Sequence, residues 1–222
     1  MTTILGIPVH EFGVTFSDFL LFLESLLLAY LLRRKNSANP DAKIVFVSDR
    51  RLFIFLGLSS LFGAVYHAFF SAAPRSTGGY LTWILTAASI GFVATALWDT
   101  IADILSRQTI ARFLRIFVRI ALALYLGVIV SGNDDYRIVT LFYAPPVLIL
   151  GGIALWKSVT TSLVAWRSLA FGIALSLGAA AIQALEISFD PTWLNYNTLY
   201  HILQGVALPF FYAFYRKFRA EP

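Results

Sequence analysis

The chain has 222 residues, of which 59% are hydrophobic and only 13% are charged, and its net charge is +5. A water-soluble domain usually carries about 25% charged residues, so this composition argues against an ordinary soluble domain. Cysteine is absent, which excludes disulfides and thiolate metal sites.

In chain order, the apolar residues form seven blocks, each close to the roughly 20 residues that a transmembrane helix needs. The sequence therefore predicts an all-α fold, a seven-transmembrane-helix bundle in a single domain over residues 1–222. The connections between the blocks are short and leave no room for a separate soluble domain. We expect the spans at about 14–32, 51–71, 80–104, 111–131, 136–157, 164–186 and 196–215.

The basic residues are divided unevenly between the two ends of these spans. Cytoplasmic loops of membrane proteins are enriched in Lys and Arg, so the distribution predicts an N-terminus outside and a C-terminus in the cytoplasm. On the outside remain only Arg75 and Arg137. The basic excess is thus a topology signal that favours contact with anionic lipid headgroups rather than nucleic acid. The cytoplasmic set is Arg33, Arg34, Lys35, Lys43, Arg50, Arg51, Arg107, Arg112, Arg115, Arg119, Lys157, Arg167, Arg216, Lys217 and Arg219.

The segment LNYNTLYHILQG at the start of the seventh span places Asn197, His201 and Gln204 on one helix face. Polar side chains inside lipid are costly, so they usually face the bundle interior. His67 lies late in the second span, and both histidines are expected roughly 6–8 Å below the outer boundary at about 1.5 Å per residue. We therefore predict a polar pocket, open to the outer side, in which the two histidines meet.

Imidazole is a common metal ligand and a proton carrier near neutral pH. Paired histidines with carboxylates nearby suit a divalent metal such as zinc. Three carboxylates are expected at the same level: Asp18 at the start of the first span, and Glu186 and Asp190 at the close of the sixth. Equally, each histidine could hold two helices together through hydrogen bonds alone. His10 and Glu11, just before the first span, could cap the pocket.

These residues resemble motifs of a superfamily that includes alkaline ceramidases, progestin and adiponectin receptors and related membrane hydrolases. In that superfamily the second helix carries Ser-x-x-x-His, the third begins with Asp, and the seventh carries His-x-x-x-His. His67 in "GAVYH" and His201 in "NTLYH" match two of these histidines. The chain departs from the pattern at Gly63 and Asn197, which stand where the serine and the other histidine belong. The third helix opens with "GGYLTW", which has no Asp, and Thr82 is the nearest polar residue. A bacterial branch of seven-helix proteins is also similar.

The resemblance implies zinc held by histidines in the membrane, a lipid amide or ester as substrate, and a bacterial plasma or inner membrane as the location. A catalytic zinc normally has three protein ligands and a water, so His67 and His201 need a third. Asp18 is the expected third ligand, with Glu186 and Asp190 as alternatives.

The catalytic roles follow from the same resemblance. Glu186 or Asp190 could act as the base for the attacking water. Asn197 and Tyr200 could donate hydrogen bonds to the oxyanion.

Other classes of protein remain open at this stage. A receptor-like or accessory membrane protein would bind a lipid or a protein partner without chemistry. Two histidines at matched depth could also ligate one haem, and Glu24, deep in the first span, could carry protons. Asp99 and Asp103 end the third span, where Arg112 or Arg115 could pair with them.

Overall fold

A computed structural model of the protein describes residues 2–4, 7–36, 47–105 and 107–218. These residues form seven helices and one short hairpin. The seven predicted helices are therefore confirmed. The predicted loop after the first helix, with Lys43, and the end of the chain, with Arg219, lie outside the described residues. The elements are β1 Thr2–Ile4, β2 Ile7–Val9, α1 Phe12–Asn36, α2 Val47–Val65 with a π-helical extension Tyr66–Phe70, α3 Thr77–Ile104, α4 Gln108–Val130, α5 Tyr136–Thr160, α6 Val164–Ala184 and α7 Tyr196–Phe218.

Among the described residues, the six helices α1 to α6 are long and apolar enough to cross a membrane. Their outward faces carry large exposed apolar side chains such as Phe113, Leu141 and Val159. Such faces are typical of an integral membrane protein, in which lipid covers them. The helix α7 is not one of these six, because polar residues in its first half lower its mean hydropathy. A seventh span stays a prediction.

The helix α7 nevertheless packs into the bundle, between α6 and α1. Its buried residues Phe214 and Tyr215 join a core that includes Phe53 of α2 and Trp166 of α6. The Tyr215 hydroxyl also makes a 2.9 Å hydrogen bond with the Thr100 hydroxyl of α3. These contacts fix α7 beside α1 and so determine which side chains meet across that seam.

The connection between α6 and α7 begins earlier than the sequence predicted. The helix α6 ends at Ala184, two residues before the predicted end. Glu186 has a φ of 52°, a left-handed conformation that stops a helix. The chain therefore leaves the helix axis before Glu186 and Asp190.

The N-terminal segment contains a hairpin that the sequence analysis did not predict. Its strands β1 and β2 pair in antiparallel register, with Thr2 opposite Val9 and Ile4 opposite Ile7. The backbone after β2 then docks on the π-helical turn of α2, where the His10 amide donates to the Ala68 carbonyl at 3.1 Å. A π-turn disrupts the regular ladder of helical hydrogen bonds, so carbonyls there can accept from another segment.

Candidate active site

A cavity of about 340 Å³ lies among α1, α2, α3, α5, α6 and α7. The structure brings both predicted histidines to it, His67 from the π-turn of α2 and His201 from α7. Three further predicted site residues line the same space: Asp18, Asn197 and Tyr200. We call it the histidine cavity.

The orientation of His201 is set by two neighbours on α1. Its Nδ1 lies 3.1 Å from Ser17 Oγ, and the Ser17 hydroxyl donates to the Val14 carbonyl at 2.9 Å. Because the serine has only one proton and directs it to Val14, its oxygen is placed to accept a hydrogen bond from the Nδ1–H tautomer of His201. The other ring nitrogen, Nε2, lies 3.3 Å from Asp18 Oδ1.

The Asp18 carboxyl group is buried beside His201, with only 5% of its side chain exposed. It lies directly over Gly63 of α2, because a Cβ at that glycine would come within 2.9 Å of Asp18 Oδ2. A contact this short is closer than carbon and oxygen atoms approach without displacement. The absence of a side chain at Gly63 therefore makes room for the carboxyl group.

His67 is anchored from the opposite side by the N-terminal segment. Its Nδ1 lies 2.9 Å from Glu11 Oε2, and the Glu11 amide donates to the His67 carbonyl at 3.4 Å. The hydrogen bond between the Glu11 carboxylate and the His67 ring lowers the pKa of that carboxyl below its ordinary value, whereas partial burial acts to raise it. Glu11 thus caps the π-turn that carries His67, whereas His10 is exposed.

Two of the predicted site residues do not line the histidine cavity. Glu186 is exposed in the α6–α7 connection. Asp190 Oδ1 accepts the backbone amides of Thr192 at 2.9 Å and Trp193 at 2.6 Å, so its carboxylate holds a turn. Of the three carboxylates that were candidates for the third ligand, the structure therefore brings only Asp18 to the cavity.

Two of the remaining cavity residues are held in place by amide and hydroxyl groups. Gln183 Nε2 of α6 donates to Asn197 Oδ1 at 3.0 Å, and the Ser176 hydroxyl donates to Gln204 Oε1 at 3.0 Å. Both bonds join α6 to α7. They fix the orientation of the Asn197 and Gln204 amide groups through their oxygens.

Sequence reasoning missed Ser17 and two tyrosines of α5, Tyr136 and Tyr143. A serine inside a membrane helix usually signals close helix packing, so nothing in the sequence distinguished Ser17 from other small residues. The tyrosines are seven residues apart, which places them on one helix face. That spacing was the available signal for Tyr136 and Tyr143.

The donor atoms fit part of a zinc site. Zn–N and Zn–O bonds of about 2.0–2.2 Å at tetrahedral angles place two ligand atoms roughly 3.4 Å apart, close to the 3.3 Å between His201 Nε2 and Asp18 Oδ1. Within the described residues, no group of three or more His, Cys, Asp or Glu side chains is arranged to hold a metal ion. A third ligand such as His67 would therefore have to move toward the pair.

The model of a family of unknown function, DUF6962, matches residues 14–220. This range takes in the cavity-lining residues of all the helices that form the site. No curated protein and no solved structure matches the chain.

Proposed function

The chain belongs to the DUF6962 family of unknown function, and we propose that its histidine cavity is the active site of a zinc-dependent membrane hydrolase. Its substrate would be a lipid amide or ester. The observation that carries the proposal is the pairing of His201 Nε2 with Asp18 Oδ1 at 3.3 Å, in a cavity that His67 also lines. A zinc ion bound there would polarise the scissile carbonyl and activate a water.

The surroundings of both histidines support this assignment. A metal-binding histidine usually donates its second ring N–H to an oxygen that fixes the tautomer. His201 has such a partner in Ser17, and His67 has one in Glu11, through Nδ1 in each case. Each ring then keeps Nε2 for a ligand, which is the arrangement that a metal requires.

Asp18 accounts for two departures from the family that the sequence resembles. That family carries a serine where this chain has Gly63, and a third histidine where it has Asn197. Here the Asp18 carboxyl group fills the space over Gly63. His67, His201 and Asp18 would then form a set of two histidines and one carboxylate, as in known catalytic zinc sites.

Asn197 and Tyr200 suit the stabilisation of an oxyanion. Because Asn197 Oδ1 accepts from Gln183, the Asn197 Nδ2 protons remain for another acceptor. Tyr200 lines the same cavity with its hydroxyl-bearing ring. Donors positioned at a developing negative charge commonly provide a large part of catalysis.

The walls of the cavity favour a substrate with an apolar chain. A small second cavity shares Leu56, Val93, Tyr143 and Gln204 with the histidine cavity. It continues between apolar residues that include Leu150, Leu208 and Phe211. A lipid could place its amide or ester near the histidines with its chain toward this apolar region, whose walls would have to separate because the second cavity holds only about 20 Å³.

We further propose seven spans with the N-terminus outside, in a plasma or inner membrane. The polar residues that lower the hydropathy of α7 include His201 and Gln204, which line the cavity and so avoid lipid. With the basic ends in the cytoplasm, the histidine cavity lies in the outer half of the membrane. The substrate would then come from the outer leaflet.

Metal analysis of the detergent-purified protein tests the proposal. We expect about one zinc per chain, and loss of that zinc in His201→Ala and in Asp18→Asn. His10→Ala is the matched control, because His10 is exposed and outside the cavity. The proposal fails if the wild-type protein holds no zinc above background, or if His201→Ala binds as much. Release of fatty acid from lipid amides and esters, followed by mass spectrometry, then identifies the substrate class.

A receptor-like or accessory protein is the second candidate. It is favoured by the absence, among the described residues, of a ready three-ligand group. It predicts a lipid or a protein partner that copurifies with the metal-free chain. A haem is less well supported, because Asp18 stands 3.3 Å from His201 Nε2, where an iron would have to bind. A Soret band in the purified protein would overturn that conclusion.

A further inference from the structure

A second charged cluster lies at the end of the bundle opposite the histidine cavity. Its centre is Asp99 of α3, and Arg119 Nη2 of α4 donates to Asp99 Oδ2 at 2.7 Å. Arg51 Nη1 of α2 lies 4.0 Å from the same oxygen, and Arg115 Nε lies 4.0 Å from Asp99 Oδ1. We call Arg51, Arg115 and Arg119 the arginine cluster. Arg115 pairs with the aspartates as predicted, whereas the closest partner of Asp99 is Arg119.

The arginine cluster has more donors than its aspartates can use. A guanidinium carries five N–H donors and a permanent charge, and three of them surround one buried carboxylate. Arg115 reaches a second carboxylate, Asp103, at 2.5 Å. The three arginine side chains remain 42–49% exposed. An additional anion can therefore be bound without breaking the Arg119–Asp99 bond.

The cluster adjoins a surface that is open to lipid. On α4, Val118 and Leu122 face the bundle and are buried, whereas Ile116 and Ile120 are exposed. At about 100° per residue, Arg115 and Arg119 lie between these two faces. Arg115 and Arg119 thus lie at the edge of the exposed apolar face of α4, and this face is long enough for an acyl chain to lie along it.

We propose that the arginine cluster binds the phosphate of an anionic phospholipid, with the acyl chains lying along the exposed face of α4. Guanidinium groups bind phosphate oxygens through paired hydrogen bonds. The cluster also lies at the end of the bundle where basic residues are concentrated, and anionic lipids attract such segments. A soluble anion would use only the charges, whereas a phospholipid also uses the apolar face beside them.

Thermal unfolding of the delipidated protein in detergent tests the proposal. Phosphatidylglycerol should raise the unfolding midpoint, and phosphatidylcholine or inorganic phosphate at the same concentration should not. Arg51→Gln and Arg115→Gln should each raise the half-maximal lipid concentration about fivefold, the factor that corresponds to roughly 1 kcal/mol per basic residue. Arg51→Gln leaves the Arg119–Asp99 hydrogen bond in place, so this variant should fold.

Arg167→Gln is the matched control, because Arg167 is exposed near the same end of the bundle but outside the cluster. The proposal is overturned if this control weakens the lipid response as much as Arg51→Gln does. It is also overturned if phosphatidylcholine gives the same shift as phosphatidylglycerol. An equal shift with inorganic phosphate would assign the cluster to soluble anions instead of a lipid.

Discussion

Asp18 and Asp99 are buried to nearly the same degree, with 4% and 5% of each residue exposed, near opposite ends of the bundle. Their partners differ. Asp99 faces three guanidinium groups, which keep their charge at any physiological pH. Asp18 faces one imidazole, which can be charged or neutral, and a cavity. A buried carboxylate needs compensation in either place, but only the second arrangement leaves capacity for chemistry.

The comparison separates a structural ion pair from a candidate catalytic one. The arginines of the cluster have long stems that carry their charges to the surface while they hold α2, α3 and α4 together. The His201–Asp18 pair is enclosed and has one ring nitrogen anchored by Ser17. Burial by itself therefore does not indicate function here; the number and type of partners does.

Removal of the carboxylate at Asp99 should have the largest effect on stability. Asp99→Ala leaves Arg119 without its 2.7 Å partner, and loss of one member of a buried pair costs about 3–5 kcal/mol. Since the arginines left behind are 42–49% exposed and can be hydrated, we expect a smaller loss of about 2 kcal/mol in the free energy of unfolding, measured in detergent with a chemical denaturant. The zinc content should not change. Asp103→Ala, at a more exposed carboxylate, is the control, and an equal loss there would contradict the comparison.

A side chain at position 63 should disturb the other aspartate. Gly63→Ala places a Cβ 2.9 Å from Asp18 Oδ2, so the carboxyl group must shift, at a cost of about 1–2 kcal/mol. Zinc binding should weaken with it. Gly127→Ala is the control, because a Cβ there meets nothing within 4 Å. Unchanged stability and zinc content in Gly63→Ala would show that Asp18 moves freely.

Ser17→Ala tests whether the anchored ring nitrogen matters for metal binding. Loss of an outer-shell partner typically reduces metal affinity about 10–100-fold, and we expect a tenfold loss in a zinc titration with little change in unfolding. Ser59→Ala is the control: Ser59 lines the cavity, and its hydroxyl donates to the Leu56 carbonyl of its own helix, whereas Ser17 also contacts His201. If the two variants bind zinc equally, His201 is not oriented through Ser17.

The smallest effect is expected at Glu11, whose carboxyl is partly exposed. Its folded-state pKa lies below the ordinary value of 4.5. The pair with His67 therefore stabilises the fold above about pH 4.5, and this contribution is lost as the pH falls through the lowered pKa. Glu11→Gln should cost less than about 1 kcal/mol at pH 5.5, and this cost should shrink as the pH is lowered below 4.5 through the depressed pKa. Glu186→Gln should show no such difference, and the same pH profile in both variants would exclude the pairing.

The helices were predictable because their apolar blocks have the length of a membrane span. Polar residues at helical spacing identified His201, Asn197 and the cavity face of α7. His67 was identified because it was expected at the same depth below the outer membrane boundary as His201. The sequence could not show that Glu186 lies beyond the end of α6, since a single left-handed residue stops that helix. It also could not show that the carboxyl group of Asp18 fits over Gly63, because that contact joins two helices.

The π-helical turn Tyr66–Phe70 holds one more residue per winding than the α-helix before it. Deletion of Tyr66 would restore regular winding and rotate His67 away by about 100°. The same change would remove the carbonyls of His67 and Ala68 from the amides of Glu11 and His10. Mutational tolerance in the first dozen residues is therefore linked to the length of a distant helix, and natural insertions or deletions in the two segments should occur together.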